Sequence, residues 1–436
     1  MNPAVVGILP TQLAVIVMWP TRTTVSWVIA AVVLRWAAGQ SQSRPNIVFI
    51  LADDLGWNDV GFHGSTAIRT PNIDDLAYSG IMLNNYYVNP ICTPSRSSLL
   101  TGKYPIHTGM EHSVILETEP WGLGLDEILL PEYLAPLGYT RHIVGKWHLG
   151  FFQKEYTPTY RGFQTHFGYW SGKHDYWSHF SEKYISNNFF MTGLDMRLNM
   201  EPAHNTTGRY TTDLLTEAAT LIIHHHKVDE SPLFLYLSHL AVHSANKEQP
   251  LQAPKELGKI YASQGTTYDG WWDGWYGPAE QGTSRDTSAV ENEILINNVW
   301  ISKSKTNEVR DAAADGLPRI TSQVEEALQG AGLWSYSYSD SIPFKIDCGQ
   351  KVLPRMGTPC NPLHGRPCLF HVKEDPCEYH NLADFYPDIL DSLWKRMMTI
   401  AATAVPARNQ PHDPEANPAK HCYLWSTWQS QEVAFS

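Results

Sequence analysis

Pro45-Asn46-Ile47-Val48-Phe49-Ile50-Leu51-Ala52-Asp53-Asp54 sets the class of this chain. An unbroken apolar run rich in β-branched and aromatic residues predicts a strand buried on both faces, the mark of a parallel sheet. Two carboxylates just past its carboxyl end sit where open α/β sheets hold their ligands. Downstream, Thr70-Pro71-Asn72-Ile73-Asp74 opens a helix whose apolar face is Ile73, Leu76 and Ala77. Residues 129–137 form another helix, and 140–144 a short strand leading into Gly145-Lys146-Trp147-His148. Residues 232–237 repeat the strand pattern and run into His239 and His243. Strands alternating with helices predict a doubly wound α/β architecture.

The chain has 436 residues, 43% of them hydrophobic and 17% charged, which predicts a globular protein with one large domain and a smaller appendage, or two domains. Its net charge of -12 argues against a nucleic-acid partner, which needs a basic face. It does not exclude an anionic substrate, because a local group of Lys, Arg and His can hold sulfate on an acidic protein. Residues 1–40 carry two apolar runs, interrupted at Arg22 and ending in Ala37, Ala38 and Gly39. They read as a signal peptide or, alternatively, an uncleaved anchor. Asn205-Thr206-Thr207 is a glycosylation sequon, in keeping with secretion.

Of six cysteines, Cys92 stands apart, while Cys348, Cys360, Cys368, Cys377 and Cys422 crowd the last quarter. That clustering predicts disulfides formed in an oxidising compartment, with an odd thiol left over. None has C-x-x-C spacing, which argues against a zinc site. Residues 255–309 are atypical: the Gly- and Trp-rich run 268–277 reads as a sugar-stacking surface, as a loop, or as sequence never selected for folding. A helical pattern returns over 310–334 through Ile320, Val324, Ala327 and Leu328, and 341–436 reads as a small Cys- and Pro-rich subdomain.

The strongest motif is Cys92-Thr93-Pro94-Ser95-Arg96, continuing through Ser97-Ser98-Leu99-Leu100-Thr101-Gly102. The whole run resembles the signature of the type I sulfatases, C-x-P-x-R followed by a Leu-rich helix and Thr-Gly. Gly145-Lys146-Trp147-His148-Leu149-Gly150 resembles that family's second signature. The resemblance covers about 44–254 and resumes weakly at 332–334 and 369–382. Within 119–163 it is nearest to the arylsulfatase B group.

This resemblance implies an alkaline-phosphatase-like fold, a large mixed or parallel sheet flanked by helices, in a catalytic domain over 44–340. It implies that a formylglycine-generating enzyme oxidises Cys92 to formylglycine, whose hydrate attacks sulfur and later expels sulfate by restoring the aldehyde. Asp53, Asp54 and the Cys92-derived oxygen would hold one calcium ion. Arg96 would stabilise the formylglycine, Lys146 would hold a sulfate oxygen, and His148 would assist deprotonation of the formylglycine hydroxyl. His243, with His239 as competitor, would protonate the leaving alcohol. The implied substrate is a sulfated glycan or aryl sulfate, met in the lysosome or outside the cell.

One departure is plain. The family completes its calcium site with Asp-Asn-Gly and later supplies a second lysine, but no Asp-Asn pair occurs in this chain. Here Trp334 runs into Ser335-Tyr336-Ser337-Tyr338-Ser339-Asp340, and the Cys-rich end follows. The simplest account is loss of an internal segment; Asp340 is the alternative ligand. Two rival readings follow: a related phosphatase or phosphodiesterase, which Cys92 in its full motif opposes, and a catalytically impaired sulfatase-like protein that binds sulfated glycans or a partner.

Overall fold

A computed structural model describes residues 44–254 apart from 57–58, 64–68, 84–85 and 187–188. It also describes the backbone of two strands within 293–302, and residues 367–430 apart from 373, 376–377 and 379. The expected leader, the 310–334 helix, Asp340 and most of the clustered cysteines lie outside the described residues.

The elements are β1 (Ile47–Leu51), α1 (Pro71–Ser79), α2 (Cys92–Thr101), α3 (Leu130–Leu134), β2 (Thr140–Lys146), β3 (Thr165–Tyr169), β4 (Phe180–Ser186), β5 (Phe189–Leu194), β6 (Arg197–Leu198), β7 (Glu201–Pro202), α4 (Thr211–His225), β8 (Leu233–Ser238), β9 (Glu293–Ile296), β10 (Val299–Ser302) and α5 (Pro387–Ala401). A six-stranded sheet has the order β1-β8-β2-β3-β6-β7, and β4-β5 and β9-β10 form two separate antiparallel pairs. The first four strands are mutually parallel, and the short β6 and β7 run antiparallel. This mixed sheet with flanking helices is the expected α/β class. Its parallel core brings the carboxyl ends of β1, β8 and β2 to one edge, with Leu51 and Gly145 both paired to Ser238.

The strand buried on both faces is β8, whose six residues are all buried between two neighbours. β1 was expected to be buried likewise and is not. It is the sheet's edge among the described residues, and Val48 and Ile50 are 44% and 57% exposed. Composition alone cannot separate an edge strand from a central one, because which strand pairs beside it is a tertiary matter.

α1 also departs from expectation. Ile73 and Leu76 face solvent, while Asp74 and Asp75 are buried. The Asp74 carboxylate accepts the Phe62 amide (2.8 Å) and the Thr70 hydroxyl (2.8 Å), which makes its burial tolerable.

The main core gathers Trp121, Trp147, Phe163, Trp170 and Tyr236 together with Trp425 from the far end of the chain. Residues 405–430 lie against this body: Arg408 N donates to Gly109 O (2.9 Å), Asp413 N to Thr118 O (2.8 Å), and Trp425 Nε1 to Ser181 O (3.1 Å). Cys368 is disulfide-bonded, and Cys92 and Cys422 are free thiols. Among the described residues no helix is long and apolar enough to cross a membrane.

Candidate active site

The residues singled out from sequence come from the edge where the parallel strands end and from the first turns of α2. Asp53 and Asp54 follow β1, Lys146 closes β2 with His148 just beyond, and Ser238 closes β8 with His243 on the following loop. The turns leaving β1 and β2 pass through left-handed backbone at Asp54 (φ 57) and His148 (φ 59), a conformation that is sparse for such residues and concentrates at functional turns. Backbone bonds lock the loops together: Asp53 N donates to Ala241 O (3.0 Å) and Val242 N to Asp53 O (2.8 Å).

Cys92 is the first residue of α2, so its sulfur lies at the positive end of a ten-residue helix. Arg96, four residues on, shares its face of the helix. The Lys146 ammonium donates to Asp53 Oδ2 (2.6 Å) and to Cys92 Sγ (3.2 Å). Arg96 donates through Nη2 to Asp53 Oδ1 (2.9 Å), and through Nη1 to Ser238 Oγ (2.6 Å) and Lys146 O (3.2 Å). Cys92 Sγ lies 3.7 Å from Asp53 Oδ1. Lys146, Arg96 and Asp53 are all buried; Asp54 is 55% exposed and lies 3.5 Å from His243 Nε2.

His148 is buried beneath this group, its Nε2 donating to Ile115 O (2.8 Å), while Nδ1 has no hydrogen-bond partner among the described residues. Thr93 Oγ1 ties the same layers, donating to His148 O (3.1 Å) and accepting from Ile115 N (3.2 Å). The loop of His243 is held by the Tyr176 hydroxyl, which donates to His243 O (2.8 Å), and His243 Nδ1 faces Ser244 O (2.7 Å). His239, the competitor, keeps a buried Nδ1 with no partner among the described residues and does not join Cys92 and Asp53.

Burial alone would raise the Asp53 carboxyl, but the charges of Lys146 and Arg96 outweigh it and hold the pKa well below the usual carboxylate range. Burial pushes the Cys92 thiol up, against the pull of Lys146. Burial, then the Lys146 charge, pushes His148 far below its ordinary value, so its imidazole is neutral. His243 is lowered by the same two causes in the same order. The result is a carboxylate held ionised by two cations, a thiol at a helix terminus, and a neutral buried imidazole.

The sequence pattern of the Sulfatase family matches residues 45–299 of this chain. Mouse (Mus musculus) arylsulfatase J is 31% identical, over 89% of this chain and 81% of that protein. The chain belongs to the sulfatase family. Its members are sulfuric ester hydrolases. Mouse N-acetylgalactosamine-6-sulfatase is 36% identical over 48% of this chain and 41% of that protein. The crystal structure of Ps i-CgsB in complex with k-i-k-neocarrahexaose is similar at 32% identity, covering 50% of this chain and 48% of that one, with a TM-score of 0.42. The alignment with arylsulfatase J runs over 501 residues, more than the 436 present here, so that relative carries internal positions with no counterpart in this sulfatase.

Calcium, which the family resemblance implies, meets a partial fit. Asp53 and Asp54 are hard oxygen donors beside Cys92, the kind calcium prefers. The ion takes about 6–8 oxygens, however, and here the Asp53 carboxylate already faces two fixed cations, Lys146 and Arg96. The donor set therefore fits in kind but falls short in number among the described residues.

Three contributors were not foreseen from sequence: Ser238, Thr93 and Tyr176. Ser238 had a signal available, as the polar residue ending an apolar strand. The hydroxyl of Tyr176 reaches a loop 67 residues away, which no local pattern encodes.

Proposed function

We propose that this sulfatase hydrolyses sulfate esters of sugars or aryl alcohols through Cys92, converted to formylglycine, with calcium held by Asp53 and Asp54. The observation that carries the reading is Cys92 at a helix N-terminus, within 3.2 Å of the Lys146 ammonium and 3.7 Å of Asp53. Calcium, when bound, supplies a positive centre for the sulfate oxygens, and formylglycine supplies the oxygen nucleophile.

Asp53 stays ionised and orients both cations. Arg96, fixed by Ser238 and Asp53, directs its charge at position 92. Lys146 reaches the sulfur position and can hold a sulfate oxygen there as a point charge. His148 donates from Nε2 to a carbonyl, which leaves Nδ1 with a lone pair and suits the ring to accept a proton. His243 sits beside the carboxylates, placed to pass a proton to the departing alcohol once its ring has taken one up.

A sulfated sugar is the favoured substrate, by the chemistry in the name of the N-acetylgalactosamine-6-sulfatase relative. The finer reading, arylsulfatase B type acting on 4-sulfated N-acetylgalactosamine, rests on the resemblance over 119–163. The apolar leader and the exposed Asn205 sequon support passage through the secretory pathway to the lysosome or the outside.

A second reading has its own observation. Among the described residues, Asp53 and Asp54 are carboxylates whose charge bears on Cys92, and the sequence offers no Asp-Asn pair to join them. Turnover is then low, since loss of one preorganised contact commonly costs about 10²–10³ in rate. Co-expression with a formylglycine-generating enzyme, mass spectrometry of the Cys92 peptide and assay of a chromogenic aryl sulfate test both. Slow hydrolysis that vanishes in Cys92→Ala is expected. Equal rates in the two proteins refute the catalytic reading, and turnover matching a complete sulfatase refutes the impaired one.

A further inference from the structure

Before any modification, position 92 carries sulfur rather than oxygen, and that changes which cation the site suits. Cys92 Sγ, a carboxylate oxygen of Asp53 and a ring nitrogen of His243 all lie within 4.8 Å of one another. A triangle of that side has its centre about 2.8 Å from each corner, so inward shifts of about 0.5–0.8 Å reach the 2.0–2.3 Å of zinc bonds. One sulfur, one nitrogen and one oxygen form a donor set for a borderline-soft divalent ion, not for calcium.

The tautomer of His243 points the same way. Its Nδ1 faces the Ser244 carbonyl at 2.7 Å, and a carbonyl only accepts, so Nδ1 carries the hydrogen. In the neutral ring Nε2 then presents a lone pair, 3.5 Å from Asp54 Oδ2, which is also an acceptor. Two acceptors facing each other want a cation between them. The carbonyl behind the ring is the kind of outer partner that orients metal-binding histidines.

We propose that the unmodified protein binds zinc, or a cation of its class, through Cys92 Sγ, His243 Nε2 and Asp53, with a fourth position open to water. A sulfur–metal bond forms, the thiol proton passes to solvent, and nothing is oxidised or reduced. The thiolate contributes a negative charge that a neutral formylglycine hydrate lacks, offsetting the fixed charges of Lys146 and Arg96. Asp53 Oδ1, 3.7 Å from the sulfur, keeps Arg96 and still has a lone pair for the metal. Oxidation at position 92 removes the sulfur and turns the site toward hard cations. The proposal is independent of catalysis, since it concerns the protein before conversion.

The test uses the full chain produced without the modifying enzyme, in a Cys422→Ser background that removes the exposed free thiol. Cobalt(II) serves as the probe, because thiolate-to-cobalt charge transfer reports sulfur coordination, which the exposed His224 and His225 cannot imitate. A near-ultraviolet band that saturates with cobalt, is displaced by zinc and disappears in Cys92→Ser is expected. His243→Gln should weaken cobalt binding at least about 10-fold, on the scale of losing an outer-shell partner. Circular dichroism of each variant confirms folding. A band that survives Cys92→Ser, no band in the parent, or unchanged affinity in folded His243→Gln overturns the proposal.

Discussion

The Lys146 ammonium donates to Asp53 Oδ2 at 2.6 Å with both side chains buried, while Arg96 holds the other carboxylate oxygen. One carboxylate from the β1 turn thus neutralises a cation from β2 and another from α2. The pairing joins three elements distant in sequence at the edge where the chemistry is proposed.

Removing the shared partner should cost more than removing one cation. Asp53→Asn leaves two buried cations uncompensated, and breaking a buried pair costs about 3–5 kcal/mol. Lys146→Met leaves Asp53 paired with Arg96 and costs less. The double variant should recover part of the loss, visible as a non-additive shift in urea midpoints. Strict additivity of the two single changes would show that the pair does not act as a unit.

Stability should fall on mild acidification, in part through buried histidines outside the candidate site. Burial pushes His166 down to about 4 and His174 down to about 3. Above about 6.5, the ordinary value, both rings are neutral folded or unfolded and stability is intact. Below it the unfolded chain takes up protons that the folded chain refuses. Each histidine then removes up to about 1.4 kcal/mol per pH unit until its folded pKa is reached. Unfolding midpoints between about pH 7 and pH 5 should decline, and His174→Gln should flatten that slope whatever it does to absolute stability.

Gly145→Ala should abolish soluble expression. Gly145 has φ +113, where L side chains are strained, and a Cβ there would collide with the Ser238 carbonyl of the paired strand. The cost exceeds the ~1–3 kcal/mol of an ordinary strained residue, because the obstacle is sheet backbone. Recovery of a protein melting near the parent temperature would contradict this.

Val48→Thr with Ile50→Thr should reduce aggregation at little cost in stability. Both side chains face solvent on a sheet edge, the setting that templates pairing between chains. Threonine keeps the β-branch, and strand preferences span only about 1 kcal/mol. Light scattering during heating should be lower, with the melting temperature little changed.

Much of the architecture was legible in local pattern. The apolar runs at 45–51, 140–144 and 232–237 contain β1, most of β2 and most of β8, because a buried strand must be written in apolar residues. The hairpin β4-β5 was not foreseen, since Phe180–Ser186 mixes polar and apolar residues without a clean period. α1 misled because Ile73 and Leu76 repeat at helical spacing, yet the loop amide of Phe62 needed an acceptor and drew Asp74 inward.

For the candidate site, residue identity and chain order were enough to name Asp53, Asp54, Cys92, Arg96, Lys146, His148 and His243. A turn after a strand and the first turn of a helix are local features, and a linear signature records them. Folding added the placement of His243, and not His239, beside Cys92 and Asp53. It added the Ser238 clamp on Arg96, and the meeting of sulfur, imidazole and carboxylate within 4.8 Å. Cysteine spacing had argued against zinc because spacing sees only neighbours along the chain. Asp53, Cys92 and His243 lie far apart in sequence and become neighbours only when the ends of β1 and β8 and the first turn of α2 meet at one edge.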